Sequence, residues 1–364
     1  MKRIIIILIF LLIFSVPAKA DENVYTDQLN AVGMEEITEI PDKESRQILN
    51  DLGATPYDTK WVENAPNNIF LLLKDIFING FSGLKTIFLS VISVLILWAV
   101  FNTLGQNDGV NTAFTIILTL IITVPVLSDI SAAGSAIKGS GVFMLSFVPA
   151  FCGIVASGGN AATAAQSGGM LLVAAEFTVQ ILAFIVVPLS CVQLALYLSG
   201  VLSDVSPGVR LASAIKKGAN YILTFTFTVF LGLLSVSTAI GSAADTVGIK
   251  TVKFMVGSFV PVAGTALSEV VSTLGSSVKL LQSGVGIYAV FVIAAITLPV
   301  ILKLTLWRIV LNGADIATQI MFKEPPPAAL KAVDSAVSLI IGVMLFTAAL
   351  FIISLAILMK VGVA

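Results

Sequence analysis

An all-α polytopic membrane protein is the fold class this sequence predicts, and three observations predict it. Of 364 residues, 57% are hydrophobic and only 11% are charged, well under the roughly 25% charged fraction of soluble domains. The mean hydropathy is +1.03. Apolar runs long enough to cross a hydrocarbon core of roughly 30 Å recur, at 86–104, 110–127, 171–198, 221–240, 285–311 and 333–359. Inside lipid every backbone polar group needs an internal partner, so these runs are read as helices. The third observation is a period. Phe143-Met144 followed by Ser146-Phe147-Val148-Pro149 returns as Phe254-Met255 followed by Ser258-Phe259-Val260-Pro261, with the prolines 112 positions apart. Pro188 and Pro299, each inside a long apolar run, lie 111 apart. We read this as a parallel internal repeat of about 111 residues, over about 110–200 and 221–313, each copy being two transmembrane helices around a short re-entrant or interfacial piece.

From the N-terminus, Met1-Lys2-Arg3, the apolar Ile4 to Phe14 and Ala18-Lys19-Ala20 describe a signal peptide over 1–20, with an uncleaved anchor as the alternative. Residues 21–68 form an acidic extracytoplasmic segment; 21–67 hold eleven of the 21 acidic residues against Lys43, Arg46 and Lys60. One or two short helices, too few apolar groups for a core, and partial disorder are expected there. Residues 69–85 place Ile69, Leu73, Ile76, Phe77, Phe81 and Leu84 at helical spacing, which predicts an interfacial amphipathic helix. The transmembrane domain, 86–364, follows with about six spanning helices. Starting outside, the crossings put the loops carrying Lys216 and Lys323 on the cytoplasmic side, where basic residues belong.

The pieces between crossings, 131–169 and 242–284, are rich in Gly, Ala and Ser, and their apolar stretches are too short to span. Broken helices at membrane depth sit against protein or a water-filled cavity, so Pro149 and Pro261 are candidate pore or gating residues, with close helix packing as the plainer alternative. Pro188 and Pro299 would kink their helices, for gating or for packing. Glu176 lies inside an apolar run with Gln180 one turn on. An intramembrane carboxylate is a functional candidate, and its alternative is polar attachment to a neighbouring helix. Cys152 and Cys191 lack metal-ligand spacing and read as packing residues. The glycine-rich stretch 157–169 has no lysine after its glycines, so no nucleotide site is expected. Without any histidine, serine-histidine catalysis and histidine metal sites drop out. No enzyme activity, cofactor or metal is expected, and no nucleic-acid binding, because no basic cluster with interleaved aromatics occurs.

Thr228 to Val236, Val247 to Phe254, Ser258 to Val262, Val285-Gly286-Ile287 and Leu298-Pro299 resemble the stage III sporulation protein AE family of endospore-forming bacteria. The resemblance extends to the signal peptide, the acidic segment and the order of crossings. It implies a multi-pass protein of the mother-cell membrane around the forespore, needed for late forespore gene expression. It also implies partners: other stage III proteins of the same operon, among them the AA ATPase and protein AH, and indirectly the forespore stage II protein Q, together forming a channel or export complex. It carries over no catalytic or ligand-binding residue. A self-contained secondary transporter and a structural scaffold stand as alternatives, and a homo-oligomer is compatible with each.

Overall fold

A run of apolar residues satisfies its backbone only by continuing its own helix, and in this chain the runs continue well past the length of a single crossing. The computed structural model describes residues 29–30, 33–57, 61–104, 108–155, 161–202, 206–241, 284–321 and 329–363. Two short helices come first, α1 (Met34–Thr38) and α2 (Lys43–Asp51). Long helices follow: α3 (Trp61–Leu104), α4 (Asp108–Val155), α5 (Ala161–Ile181), a π-helical turn (Leu182–Val186) leading into α6 (Val187–Leu202), α7 (Ser206–Gly241), α8 (Gly284–Met321) and α9 (Ala329–Val363). Among the described residues six stretches are long and apolar enough to cross a membrane: Asn68–Leu104, Gly109–Ile154, Ala165–Val201, Pro207–Ser235, Gly284–Ile320 and Ala329–Met359.

The α8 and α9 helices form the centre. The most apolar window of α8 is 89% buried and that of α9 72%, whereas α3 at the edge has 17%. Around them α4 contacts α8 and α9, α6 and α7 pack as a hairpin, and α3 lies along α8. Small residues set the close approaches. A Cβ on Gly208 would fall 2.8 Å from Gly200 Cα and 2.9 Å from the Leu196 carbonyl oxygen, so the α6–α7 hairpin closes only with glycine there.

The N-terminal segment corrects one expectation. Its short helices are present, but its few apolar groups are not idle: Leu29, Met34, Ile37, Ile48, Leu49 and Leu52 are all buried, because α1 packs on α4 and α2 on α8. Asp42 caps α2 by accepting the Ser45 N–H at 2.8 Å, and Gly53 ends it in the left-handed region at φ 66°. Trp61 then anchors the entry to α3. Its ring meets Phe291 edge-on at 4.8 Å, and its Nε1 donates to the Thr55 carbonyl at 3.0 Å.

Residues 69–85 do not form a separate helix; they are the first half of α3. Ile69 and Leu84 turn inward, Gly80 lets the Leu306 side chain come close, and Phe77 stacks on Phe81 at 6.4 Å. Nor is the first Ser-Phe-Val-Pro pattern a short re-entrant piece. It lies in the last turns of the continuous α4, which contains Pro125 and Pro149, because the apolar faces of Phe143, Phe147 and Phe151 stack along it and stay buried. Residues 242–283, including Pro261, lie outside the described residues, as does the signal peptide over 1–20.

Candidate functional site

Charged side chains placed among apolar helices need partners, and here they find them at one level of the bundle. Asp129 of α4 is 5% exposed. Its Oδ1 lies 2.6 Å from Lys303 Nζ of α8, and its Oδ2 accepts from Trp307 Nε1 at 2.6 Å. One residue further along α8, Arg308 Nε donates to Asp334 Oδ1 of α9 at 2.8 Å, with Nη2 3.4 Å from Oδ2. Next to Asp334, Ser335 Oγ accepts from Lys216 Nζ of α7 at 2.9 Å and from Gln193 Nε2 of α6 at 3.1 Å. Polar contacts therefore tie α4, α6, α7, α8 and α9 together. The carboxylates are matched by cations and their oxygens by donors, which is the condition for tolerating them away from water. The arrangement can fix the relative rotation of five helices, and its paired charges can re-pair if the helices slide.

The Lys216–Ser335 contact also places the N-terminal ends of α7 and α9 at the same end of the bundle. Lys216 itself lies within α7 and not in a loop, and Lys323 lies outside the described residues.

The residues singled out from sequence are placed elsewhere. Glu176 Oε1 accepts from Gln180 Nε2 at 2.6 Å within α5, on the outer side, where Gln180 is exposed. They pair with each other and not with the polar layer. Pro149 is exposed at the end of α4. Pro188 is also exposed and follows directly on the π-helical turn 182–186, which absorbs the clash of its ring with the preceding turn. Pro299 stays within an unbroken α8. It supplies no N–H to the Ala295 carbonyl, and that oxygen instead lies 3.4 Å from the Ser45 hydroxyl, which donates to it. Cys152 packs against Gly168, in keeping with its reading as a packing residue. Among the described residues no group of three or more His, Cys, Asp or Glu side chains is placed to hold a metal ion.

Asp129, Lys303 and Arg308 were not among the candidates singled out from sequence. The signal was present. A lone acid between Leu127 and Ile130, and a lone lysine between Leu302 and Leu304, are intramembrane charges of the same kind as Glu176.

Comparison with known proteins points to one family. The family described as Stage III sporulation protein AE matches residues 45–362. Stage III sporulation protein AE of Bacillus subtilis (strain 168) is 25% identical over 294 residues, covering 80% of this chain and 73% of the relative. No solved structure matches. With the match covering most of the chain, and six helices fit to span a membrane, this multi-pass membrane protein belongs to the stage III sporulation protein AE family and is a protein of sporulation.

Proposed function

We propose that the protein is a subunit of a channel or export complex between mother cell and forespore, seated in the mother-cell membrane and needed for late forespore gene expression. One observation carries this reading. The exposed apolar residues of α3 run from Phe70 and Leu71 to Leu104, with exposed Lys74 and Lys85 among those of its first half, a rise of about 50 Å at 1.5 Å per residue, against about 30 Å of hydrocarbon. Lipid alone does not cover that height, so part of the face calls for protein. The duplicated two-crossing unit inferred from sequence, the signal peptide and the extracytoplasmic placement of the N-terminal segment belong to the same reading. So do its partners: the AA ATPase, which would supply the nucleotide site not expected in this chain, protein AH, and stage II protein Q across the intermembrane space. The role assigned to this chain is non-enzymatic.

A self-contained permease is the second reading, favoured by the buried Asp129 carboxylate paired with the half-exposed Lys303, since intramembrane acids mark ion and proton pathways. Two measurements separate the readings. Affinity-tagged full-length protein from sporulating membranes is expected to bring down other stage III proteins, and the chain alone in liposomes is expected to show no saturable, gradient-driven uptake. Isolation without partners, together with uptake by the chain alone, would overturn the subunit reading.

A further inference from the structure

The α7 helix differs from the other spanning helices in what it exposes. Its best window has a mean hydropathy of 1.4, against 2.2 to 2.7 for the other five. The difference is concentrated on one face. Arg210, Ser213, Lys217, Asn220, Thr224 and Thr228 follow one another at steps of three or four, which at 100° per residue keeps all six within about 80° of the helix circumference. Five of the six are exposed and Thr224 is half-buried. Beside the stripe α7 exposes Leu211, Tyr221 and Phe225, whereas α3 and α4 expose longer series of Phe, Leu, Ile and Val.

From Arg210 to Thr228 the stripe rises about 27 Å, close to the thickness of a hydrocarbon core. Ser213, Thr224 and Thr228 return their hydroxyls to carbonyls one turn earlier, which quiets them. Among the described residues Asn220 and the two cations show no such hydrogen bond. Among the described residues neither Arg210 nor Lys217 has a carboxylate within ion-pair distance. A charge exposed to lipid near mid-membrane would cost roughly 2.5–3.5 kcal/mol; Arg210 and Lys217 lie in the first third of α7, where long side chains can reach the interface, so the burden of a lipid-facing stripe falls on the polar groups from Asn220 onward.

We infer that the polar stripe of α7 lines a water-filled conduit, closed off when the chain assembles with its neighbours, and that Arg210 and Lys217 bias it towards polar solutes carrying negative charge. The inference rests on the subunit reading, because a single copy leaves the stripe open on one side. It names the wall of the passage, which the sequence had placed in the short pieces around Pro149 and Pro261.

The test uses the full-length protein in membranes of sporulating cells, with Cys152 and Cys191 replaced by Ser and single cysteines at Ser213, Asn220, Thr224 or Thr228. Small membrane-impermeant methanethiosulfonates are expected to modify these positions and to spare Val173→Cys, whose side chain sits on a lipid-type face. A polymer-linked maleimide too bulky for a narrow passage is expected to modify none of them. The anionic sulfonate reagent should react several-fold faster than it does in the Arg210→Gln/Lys217→Gln variant, which lacks the two cations, while the cationic reagent should react more slowly than in that variant. Protection of all four positions, equal to Val173→Cys, would overturn the conduit, and so would labelling by the bulky reagent, which marks a face open to bulk water. An unchanged reagent preference in the double variant would remove the charge bias. Co-purification of partners, measured on the same strains, keeps these failures distinct: partners retained with the stripe protected leaves the subunit reading intact and the α7 conduit wrong.

Discussion

At the scale of single residues, the polar layer is decided by how much of each charge is hidden. Asp129 has a side chain 7% exposed, whereas that of Lys303 is 53% exposed, so the two halves of the pair respond differently to removal. Lys303→Met leaves a buried carboxylate with only the Trp307 N–H, at an expected cost of about 1–3 kcal/mol. Adding Asp129→Asn removes the stranded charge while keeping an acceptor for Trp307. The double variant is therefore expected to be more stable than Lys303→Met alone, which thermal unfolding of the detergent-purified protein reads directly. A double variant no better than the single would show that the carboxylate is not the group at stake. Glu176 supplies the contrast. Its partner Gln180 is one turn away on the same exposed face, a contact worth about 0.2–0.5 kcal/mol, so Glu176→Gln is expected to leave both stability and spore yield close to wild type. A sharp loss of spores with normal protein levels would restore the carboxylate to a transport role.

At the scale of elements, what could be read from sequence was what depends on local chemistry. Helix positions follow from apolar runs, and the deformation near Pro188 follows from its missing N–H and its ring, although the form it takes, a π-helical turn over 182–186, depends on packing. Continuity could not be read. Pro149 and the small residues around it predict a break, but the stacked Phe143, Phe147 and Phe151 hold α4 straight through. The docking of 29–57 was equally hidden, because a handful of apolar positions is too few for an independent core and becomes sufficient only once α4 and α8 supply the other side. Ile48 and Leu52 share a small apolar crevice with Ile69, Ile76, Phe291 and Pro299. The anchoring side chain is Trp61, 8% exposed, and Trp61→Ala is expected to cost about 3–5 kcal/mol of local packing. Limited proteolysis should then cut within 29–57 while α3 to α9 stay protected. Unchanged resistance would mean that the segment is held by something other than this contact. Ser45→Ala is expected to do much less, about 1 kcal/mol or below, since one hydrogen bond of 3.4 Å is at stake.

At the scale of the whole molecule, the position of the bilayer is constrained by the docked N-terminal segment. Glu35, Glu36, Glu39, Lys43 and Glu44 are exposed, and charged groups of this kind keep to water. Through Ile48, Leu52, Ile69 and Ile76 the segment lies level with the first turns of α3, so water reaches that level too. Phe70 at 67% and Leu71 at 54% exposure are therefore set beside water-facing charges, where hydrocarbon does not cover them. Ile96 and Leu97, 52% and 51% exposed, lie about 40 Å further along the helix, in the part that lipid can reach. The two pairs look alike in composition and differ in what surrounds them. Phe70→Ser/Leu71→Ser is expected to leave the amount of protein in the membrane unchanged while lowering both the recovery of partner proteins with the tagged chain and the spore yield. Ile96→Asp/Leu97→Asp is expected to reduce the membrane-inserted protein itself, since each acid near mid-membrane costs about 2.5–3.5 kcal/mol. Quantitative immunoblotting of membrane fractions, with affinity recovery from the same cells, reads both effects. If the serine pair lowers insertion as the aspartate pair does, the start of α3 is in lipid and the partner-facing surface must be sought elsewhere.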